Sequence, residues 1–247
     1  MSDLPPLGQR VTTKLRRLRS KAARVGGGTG IERYLFIVTY GRTGSTLLQK
    51  VLNRLPGTYI AGENHNALYG VFDAWRNACT LKAKYGWGYQ TDGHPWHGSL
   101  AADPDGYARA MLAAFIAHIL KPPRGATTVG FKEIRYLIPD LREYLLFLDR
   151  FLAPAVFVIN TRAVDEVAKS AWWKLADKGK LAADIARFEA ITSELVEACP
   201  DRFVKIDYAA WSTNPEALRP VFKMLDAPFD AAAIGAVLDI RLEHMRG

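Results

Sequence analysis

The sequence predicts an α/β fold: a central parallel β-sheet with helices on both faces. Three observations lead there. Short β-rich runs alternate along the chain with stretches of helical, 3.6-residue spacing. The most apolar strand runs, at 34–40 and 155–160, are nearly continuous instead of alternating, as expected of strands buried on both sides. And the run from Tyr34 to Tyr40 passes at once into Gly41, Gly44, Ser45 and Thr46, then Leu47 and Leu48, which reads as a buried strand, a tight turn and the first turn of a helix.

The elements follow in order. The first strand covers 34–40, and a helix over 45–54 stops at Pro56-Gly57. Residues 58–61 form a short second strand ending at Gly62-Glu63, followed by a helix over 66–83. An irregular insertion over 85–101, rich in Gly, Trp, Tyr and His, reads as a packed lid or as an aromatic surface for a sugar, lipid or aromatic alcohol. Asp103-Pro104 opens a helix to about 120, which Pro122-Pro123 closes. A third strand covers 127–132, a helix 139–152, and a fourth strand 155–160 ends at Thr161-Arg162. Helices over 164–177 and 181–198, a fifth strand over 202–206 and helices over 214–225 and 230–244 complete the chain.

At 247 residues and 49% hydrophobic content, one domain over 31–247 is expected, preceded by a basic flexible arm over 1–30. Seven Lys or Arg residues fall between Arg10 and Arg24, before Gly26-Gly27-Gly28-Thr29-Gly30, so most of the net charge of +8 belongs to the arm. It reads as a solvated tail or as a contact for an anionic membrane surface or an anionic polymer. The remaining body is near neutral, which argues against nucleic-acid binding. No apolar run approaches the ~18–20 residues that cross a bilayer, and Cys79 and Cys199 read as reduced thiols; the expected location is the cytoplasm.

Ligands of such sheets sit at the carboxyl ends of the strands, where Gly41–Thr46, Gly62-Glu63, Lys132 and Arg162 all fall. The glycine turn aims backbone N–H groups and a helix dipole at one point, an anion site. It is not the nucleoside-triphosphatase pattern, which needs Lys after Gly44; the cation here is Arg42, and Thr43, Ser45 and Thr46 add hydroxyl donors. Arg162 with Ser170 is expected to hold a second, separate anionic group, a salt bridge from Arg162 to Asp165 or Glu166 being the alternative.

Three segments, each after a strand and in this order, resemble the sulfotransferases that use 3′-phosphoadenosine-5′-phosphosulfate. Tyr40-Gly-Arg-Thr-Gly-Ser-Thr-Leu-Leu48 is similar to the family's 5′-phosphosulfate loop, Arg162 with Ser170 at plus eight to its 3′-phosphate motif, and Tyr208-Ala-Ala-Trp-Ser-Thr-Asn-Pro215 to its late Tyr-Glu-Asp-Leu-x-x-Asp-Pro segment. The likeness covers roughly 34–225. It departs at Ala209 and Ala210, at Leu47 where the cytosolic small-molecule branch often carries an adenine-stacking Trp, and in lacking that branch's late Gly-rich loop. These differences turn the resemblance towards the bacterial and carbohydrate-type branches.

The resemblance implies a P-loop-like nucleotide-hydrolase (sulfotransferase) fold and transfer of a sulfuryl group to a hydroxyl of a carbohydrate, glycolipid or small alcohol, with 3′-phosphoadenosine-5′-phosphate as product. It implies donor contacts from Gly41, Arg42, Thr43, Gly44, Ser45, Thr46, Arg162, Ser170 and Tyr208, the last for the adenine. In-line transfer rests on positioning and preorganised cations, so Arg42 and Lys132 are expected to stabilise developing charge, with no metal required. Glu63 is the first candidate for the base, a helix cap near Asn66 being its alternative role; His65 is the second and Glu133 the third. Arg135 reads as a partner of a nearby carboxylate. His94 and His97 lack partners at a recognised zinc spacing. The rival functions are a phosphotransferase or nucleoside triphosphatase on the same loop, and a non-enzymatic anion- or membrane-binding module working through the arm.

Overall fold

The computed structural model describes residues 30–85, 91–169, 173 and 177–244, with side chains described to 239. The basic arm and Ser170 therefore lie outside the described residues. Five strands, β1 (Arg33–Val38), β2 (Thr58–Ala61), β3 (Thr128–Glu133), β4 (Ala155–Thr161) and β5 (Phe203–Asp207), form one parallel sheet of order β2-β3-β1-β4-β5. Registers pairing Val38 with both Glu133 and Ile159, and Thr161 with Asp207, bring the carboxyl ends to one edge. The chain runs to one side of β1 after it and crosses to the other side for β4, so the crevice between β1 and β4 is the topological switch point.

Successive residues of each strand enter opposite cores because side chains alternate across the pleat. Phe36, Phe131, Phe157 and Phe203 build an aromatic ladder on one face, with ring centroids 5.1, 5.3 and 4.5 Å apart along it. This face is covered by α2 (Ala67–Tyr85), α3 (Pro104–Phe115), α4 (Leu141–Phe151) and α6 (Lys178–Ala198). Leu35, Ile37, Val156, Val158 and Ile206 enter the second core, under α1 (Ser45–Leu52), α7 (Tyr208–Trp211), α8 (Arg219–Met224) and α9 (Ala231–His244). Side chains chosen by parity thus explain why these strands read as unbroken apolar runs. Gly130 permits the close β1–β3 approach: a Cβ there would lie 1.6 Å from the Leu35 carbonyl oxygen.

Element starts follow their caps. Asp103 accepts from Gly106 N–H ahead of Pro104, and Asp177 from Lys180 N–H. α3 continues through a π-helical stretch, Ile116–Leu120, before Pro122. Two expectations are corrected. The helix α5 (Val164–Ala168) replaces the start of the longer helix expected over 164–177, of which 170–172 and 174–176 lie outside the described residues. The helix expected over 214–225 is instead a 3-10 turn, Pro215–Leu218, then α8, and α7 precedes both, capped by Asp207 through Ala209 and Ala210 N–H. Among the described residues no helix is long and apolar enough to cross a membrane.

Candidate active site

The glycine turn leaves β1 through two residues in the left-handed region, Arg42 (φ 73°) and Gly44 (φ 73°). That geometry suits glycine and strains arginine, a cost usually found where a site requires it. Gly44 is also the cap of α1 and supplies no capping side chain. Among the described residues the N–H groups of 43–46 have no backbone acceptor. The first turn of this eight-residue helix is therefore left with bare donors at its positive end.

Beneath the turn lies a buried set of neutral groups. Thr39 and Thr43 share a hydroxyl–hydroxyl bond of 2.7 Å, and Thr39 donates to the Asn160 carbonyl at 2.6 Å. Asn160 Nδ2 donates to the Thr43 carbonyl at 2.8 Å, and Trp211 Nε1 donates to Asn160 Oδ1 at 2.9 Å. This corrects the expectation that the Thr43 hydroxyl faces a ligand: it is fully buried and used for bracing, which leaves Ser45 and Thr46 as the loop's outward hydroxyls. Thr39, Asn160 and Trp211 were not among the residues singled out from sequence. A polar residue closing an otherwise apolar strand was the available signal at Asn160.

Arg162 follows β4 and lies beside the turn, donating from Nη1 to the Arg42 carbonyl at 3.0 Å. The two anion-binding groups expected to be separate are thus neighbours, because β1 and β4 are adjacent in the sheet. Tyr40 fixes the Arg162 backbone from both sides: its hydroxyl donates to the Arg162 carbonyl at 2.8 Å and accepts from the Arg162 N–H at 3.1 Å. Burial pushes the Tyr40 phenol up to about 12, so it remains a neutral donor. The expected Arg162–Glu166 pair is present at 3.4 Å, but on the exposed side of a guanidinium with other partners.

Tyr208 does not offer its ring as a free adenine platform. Its edge fills the space over Gly44, where a Cβ would lie 2.1 Å from Cε2. The Arg162 guanidinium covers the ring at 4.7 Å from its centroid, and Trp211 packs against it edge-on. Tyr208 therefore supports both the turn and Arg162.

Across the crevice, Lys132 Nζ meets Glu63 Oε1 at 2.6 Å, and Arg135 Nη1 approaches Glu63 Oε2 at 3.6 Å. The Lys132 side chain is 6% exposed and that of Glu63 35%, so the ammonium is a buried fixture and the carboxylate is reachable from solvent. Glu63 does not cap the following helix; the Asn64 side chain does, accepting from Ala67 N–H at 2.9 Å. His65 is exposed on a turn at φ 58° and does not line the cavity.

Glu133, the third candidate base, is corrected to a structural clamp. It is fully buried and accepts from Asn66, Asn64 and Ile134 N–H and from Arg135 Nη1, at 2.8, 3.2, 2.8 and 3.2 Å. Burial alone would raise its carboxyl; these donors outweigh that and hold it below the usual carboxylate range.

Arg42, Gly44, Ser45, Thr46, Glu63, Lys132 and Arg162 together line one cavity of about 290 Å³, with Leu47 and Ile134 as its apolar wall. A roomier apolar cavity of about 470 Å³ lies between the end of α1 and α8–α9, away from the strand ends, with Arg54 and Asp230 as its charged residues. Cations, bare donors and a carboxylate converge in the first, which makes it the candidate site. Among the described residues, none of the aromatic insertion lines it. Residues 86–90 lie outside the described residues, and Tyr85, stacked on Trp96 at 4.0 Å, ends a 19-residue helix that starts beside Glu63. That length separates the two by roughly 27 Å at 1.5 Å per residue. Trp172 is outside the described residues, and Trp173 packs against the core. Among the described residues no group of three or more His, Cys, Asp or Glu is placed to hold a metal ion.

Solved structures with this architecture include the sulfotransferase domain from the Synechococcus PCC 7002 olefin synthase. It is 16% identical, with TM-score 0.50, covering 86% of this chain and 80% of that one. The sulfotransferase domain from the curacin biosynthetic pathway is also 16% identical, with TM-score 0.46 and coverages of 81% and 75%. At such identity the likeness to the first of these speaks to fold alone. No curated protein matches the sequence. The family profile described as "Sulfotransferase family" matches residues 35–231, from β1 through the whole sheet to the start of α9, and the chain belongs to that family.

Proposed function

We propose that this sulfotransferase moves a sulfuryl group from 3′-phosphoadenosine-5′-phosphosulfate to a hydroxyl, and that the acceptor is a carbohydrate or glycolipid-like alcohol. One observation carries the reading: residues 44–46 with their bare N–H groups, three cations and one reachable carboxylate line a single cavity at the switch point of the sheet. The residues suit the donor. The turn and Arg42 offer an anion cradle, and Arg162, one hydrogen bond away, offers a second positive group for the 3′-phosphate. When bound, the donor supplies an activated sulfuryl group whose leaving group is a phosphate.

The chain's own residues do the rest. The N–H groups of 43–46 and Arg42 bind anionic oxygens with dipoles already oriented, so little reorganisation is needed as charge builds. Glu63 accepts the proton of the attacking hydroxyl on its exposed carboxylate. Protonation weakens its pairing with Lys132, and the buried ammonium is then free to face the developing negative charge. The carbohydrate preference rests on the sequence's departures from the small-molecule branch at Leu47, Ala209 and Ala210.

Calorimetric titration with 3′-phosphoadenosine-5′-phosphate tests the donor class. Binding without magnesium, and weaker binding of magnesium-ATP, is expected; the reverse order rejects the reading. Glu63→Gln should keep nucleotide affinity and lower kcat by roughly 10²–10⁴-fold. A wild-type rate in that variant rejects Glu63 as the base.

A further inference from the structure

The end of β3 and the residues after it surround Glu63 from two directions. Lys132 and Arg135 reach its two carboxylate oxygens, at 2.6 and 3.6 Å. Glu133 does not touch it. Instead, Glu133 Oε2 collects the N–H groups of Asn64 and Asn66, at 3.2 and 2.8 Å, the first of them on the residue directly after Glu63. Its other oxygen collects Ile134 N–H at 2.8 Å and Arg135 Nη1 at 3.2 Å.

The turn so held is an uncommon one. His65 and Asn66 sit at φ 58° and 56°, left-handed backbone that few residues with side chains adopt, although asparagine and histidine tolerate it better than most. It persists where the surroundings over-determine it. Two convergent N–H groups on one carboxylate oxygen do this, helped by Asn66 Nδ2 donating to the Arg135 carbonyl at 3.3 Å. Arg135 bridges the clamp and the base, since the same Nη1 lies 3.2 Å from Glu133 and 3.6 Å from Glu63.

We propose that Glu133 is a positioning residue: it acts through the turn at 64–66 and through Arg135 to set the Glu63 carboxylate in the cavity. The inference rests on the reading of Glu63 as the base. The donor-binding half stands on β1 and β4, and the side-chain bonds of the clamp do not reach it; its link to the clamp is the backbone, through Val38 beside Glu133 and the Tyr40–Arg135 bridge, so the effect of Glu133 should fall mainly on turnover.

Glu133→Gln in the full chain tests this. The amide keeps the shape but turns an NH2 group towards donors, releasing one arm of the clamp. The expected result is a kcat lower by roughly 10–100-fold, the scale of an ångström-sized misplacement of a reacting group. The dissociation constant for 3′-phosphoadenosine-5′-phosphate should change by less than about 2-fold, and in a Glu63→Gln background the same substitution should cost less than about 2-fold in kcat, because the two residues act as one unit. A merely structural Glu133 would give the same loss in both backgrounds, and that result overturns the proposal. So does a wild-type kcat in Glu133→Gln while Glu63→Gln is slow. Should Glu63→Gln itself turn over normally, the base assignment falls and the positioning role with it. If Glu133→Gln yields no folded protein, Glu133→Asp, which keeps the charge and withdraws the acceptor by one methylene, carries the same comparison.

Discussion

The two walls of the cavity are braced by different chemistry. Under the glycine turn the support is neutral: Thr39, Thr43, Asn160 and Trp211 satisfy one another through bonds of 2.6–2.9 Å, all buried. Across the crevice the support is ionic: Glu133, Lys132, Arg135 and Glu63 share charges over a few ångströms. Neutral bracing consumes none of the turn's positive potential. Arg42 makes no ion pair among the described residues, and the acid beside Arg162 is the half-exposed Glu166 at 3.4 Å. The positive charge on the β1–β4 wall is therefore available to an anion. On the β2–β3 wall each cation is matched to a carboxylate, so that wall presets the position of the Glu63 carboxylate. One wall is built to receive charge and the other to hold it.

The sharpest way to break this contrast is to spoil the neutral wall without touching a charge. Gly44→Ala places a methyl group 2.1 Å from Tyr208 Cε2 at a φ of +73° that alanine disfavours. Tyr208 cannot retreat easily, since Arg162 and Trp211 pack on it. The turn must shift, and the expected loss is roughly 10²-fold or more in nucleotide affinity, on the scale of a misplaced binding group. Calorimetry on folded protein checks it; unchanged affinity would mean that the turn does not bind the nucleotide. Next in size is Arg162→Ala. Removing a charged donor should weaken the 3′-phosphorylated nucleotide by roughly 10–100-fold, the 1.5–3 kcal/mol of a charged hydrogen bond. The 3′-dephospho analogue should lose much less. Equal losses would make Arg162 a brace of the Arg42 carbonyl and nothing more.

Much of this fold was readable in the sequence, because the two central strands, β1 and β4, are nearly unbroken apolar runs and each strand run is soon followed by a glycine or a charged residue. That Arg42, Gly44, Ser45, Thr46, Glu63, Lys132 and Arg162 come to one cavity was legible from their places at strand ends. What the sequence withheld was strand order and side-chain direction. Spacing says nothing of β4 lying beside β1, so Arg162 and the turn looked like separate centres. In a strand covered on both faces, parity carries no inside or outside, so Glu133 turning towards 64–66 left no pattern; Thr43 lies in the turn after β1, where no period exists to read. The four residues of α7 are about one helical turn, too few to show a period. The two walls also differ in this respect. The charged wall announces itself by residue type, whereas Thr39, Asn160 and Trp211 are recognisable as a support only once they touch.

A smaller effect is expected from cutting the neutral support itself. Thr43→Val keeps the shape of the side chain and removes the hydroxyl that bonds Thr39 at 2.7 Å and the Tyr40 carbonyl at 3.2 Å. Thr39 still donates to Asn160, so no buried donor is orphaned. The expected cost is about 1 kcal/mol in unfolding free energy, read by urea denaturation, with only a few-fold change in nucleotide affinity. A loss of affinity as large as that of Gly44→Ala would show that the hydroxyl faces the ligand after all.

The smallest effect tests the ionic wall through its pH dependence. The Glu133 carboxyl is held below the usual carboxylate range in the folded chain by its backbone and Arg135 donors. A carboxyl lowered on folding contributes stability that is fully present above its unfolded value, about 4.3, and is lost as pH falls through the folded value. Glu133→Gln cannot titrate and lacks this contribution at every pH. The difference in melting temperature between the wild type and Glu133→Gln should therefore be greatest near neutrality and shrink once the pH falls below about 4. Asp140, also lowered, by hydrogen bonds from Tyr69 and Arg76 that outweigh its burial, is present in both proteins and cancels in the comparison. A difference that stays constant from neutrality to pH 3 would mean that the clamp holds by shape and not by charge, and the contrast between the two walls would be one of geometry alone.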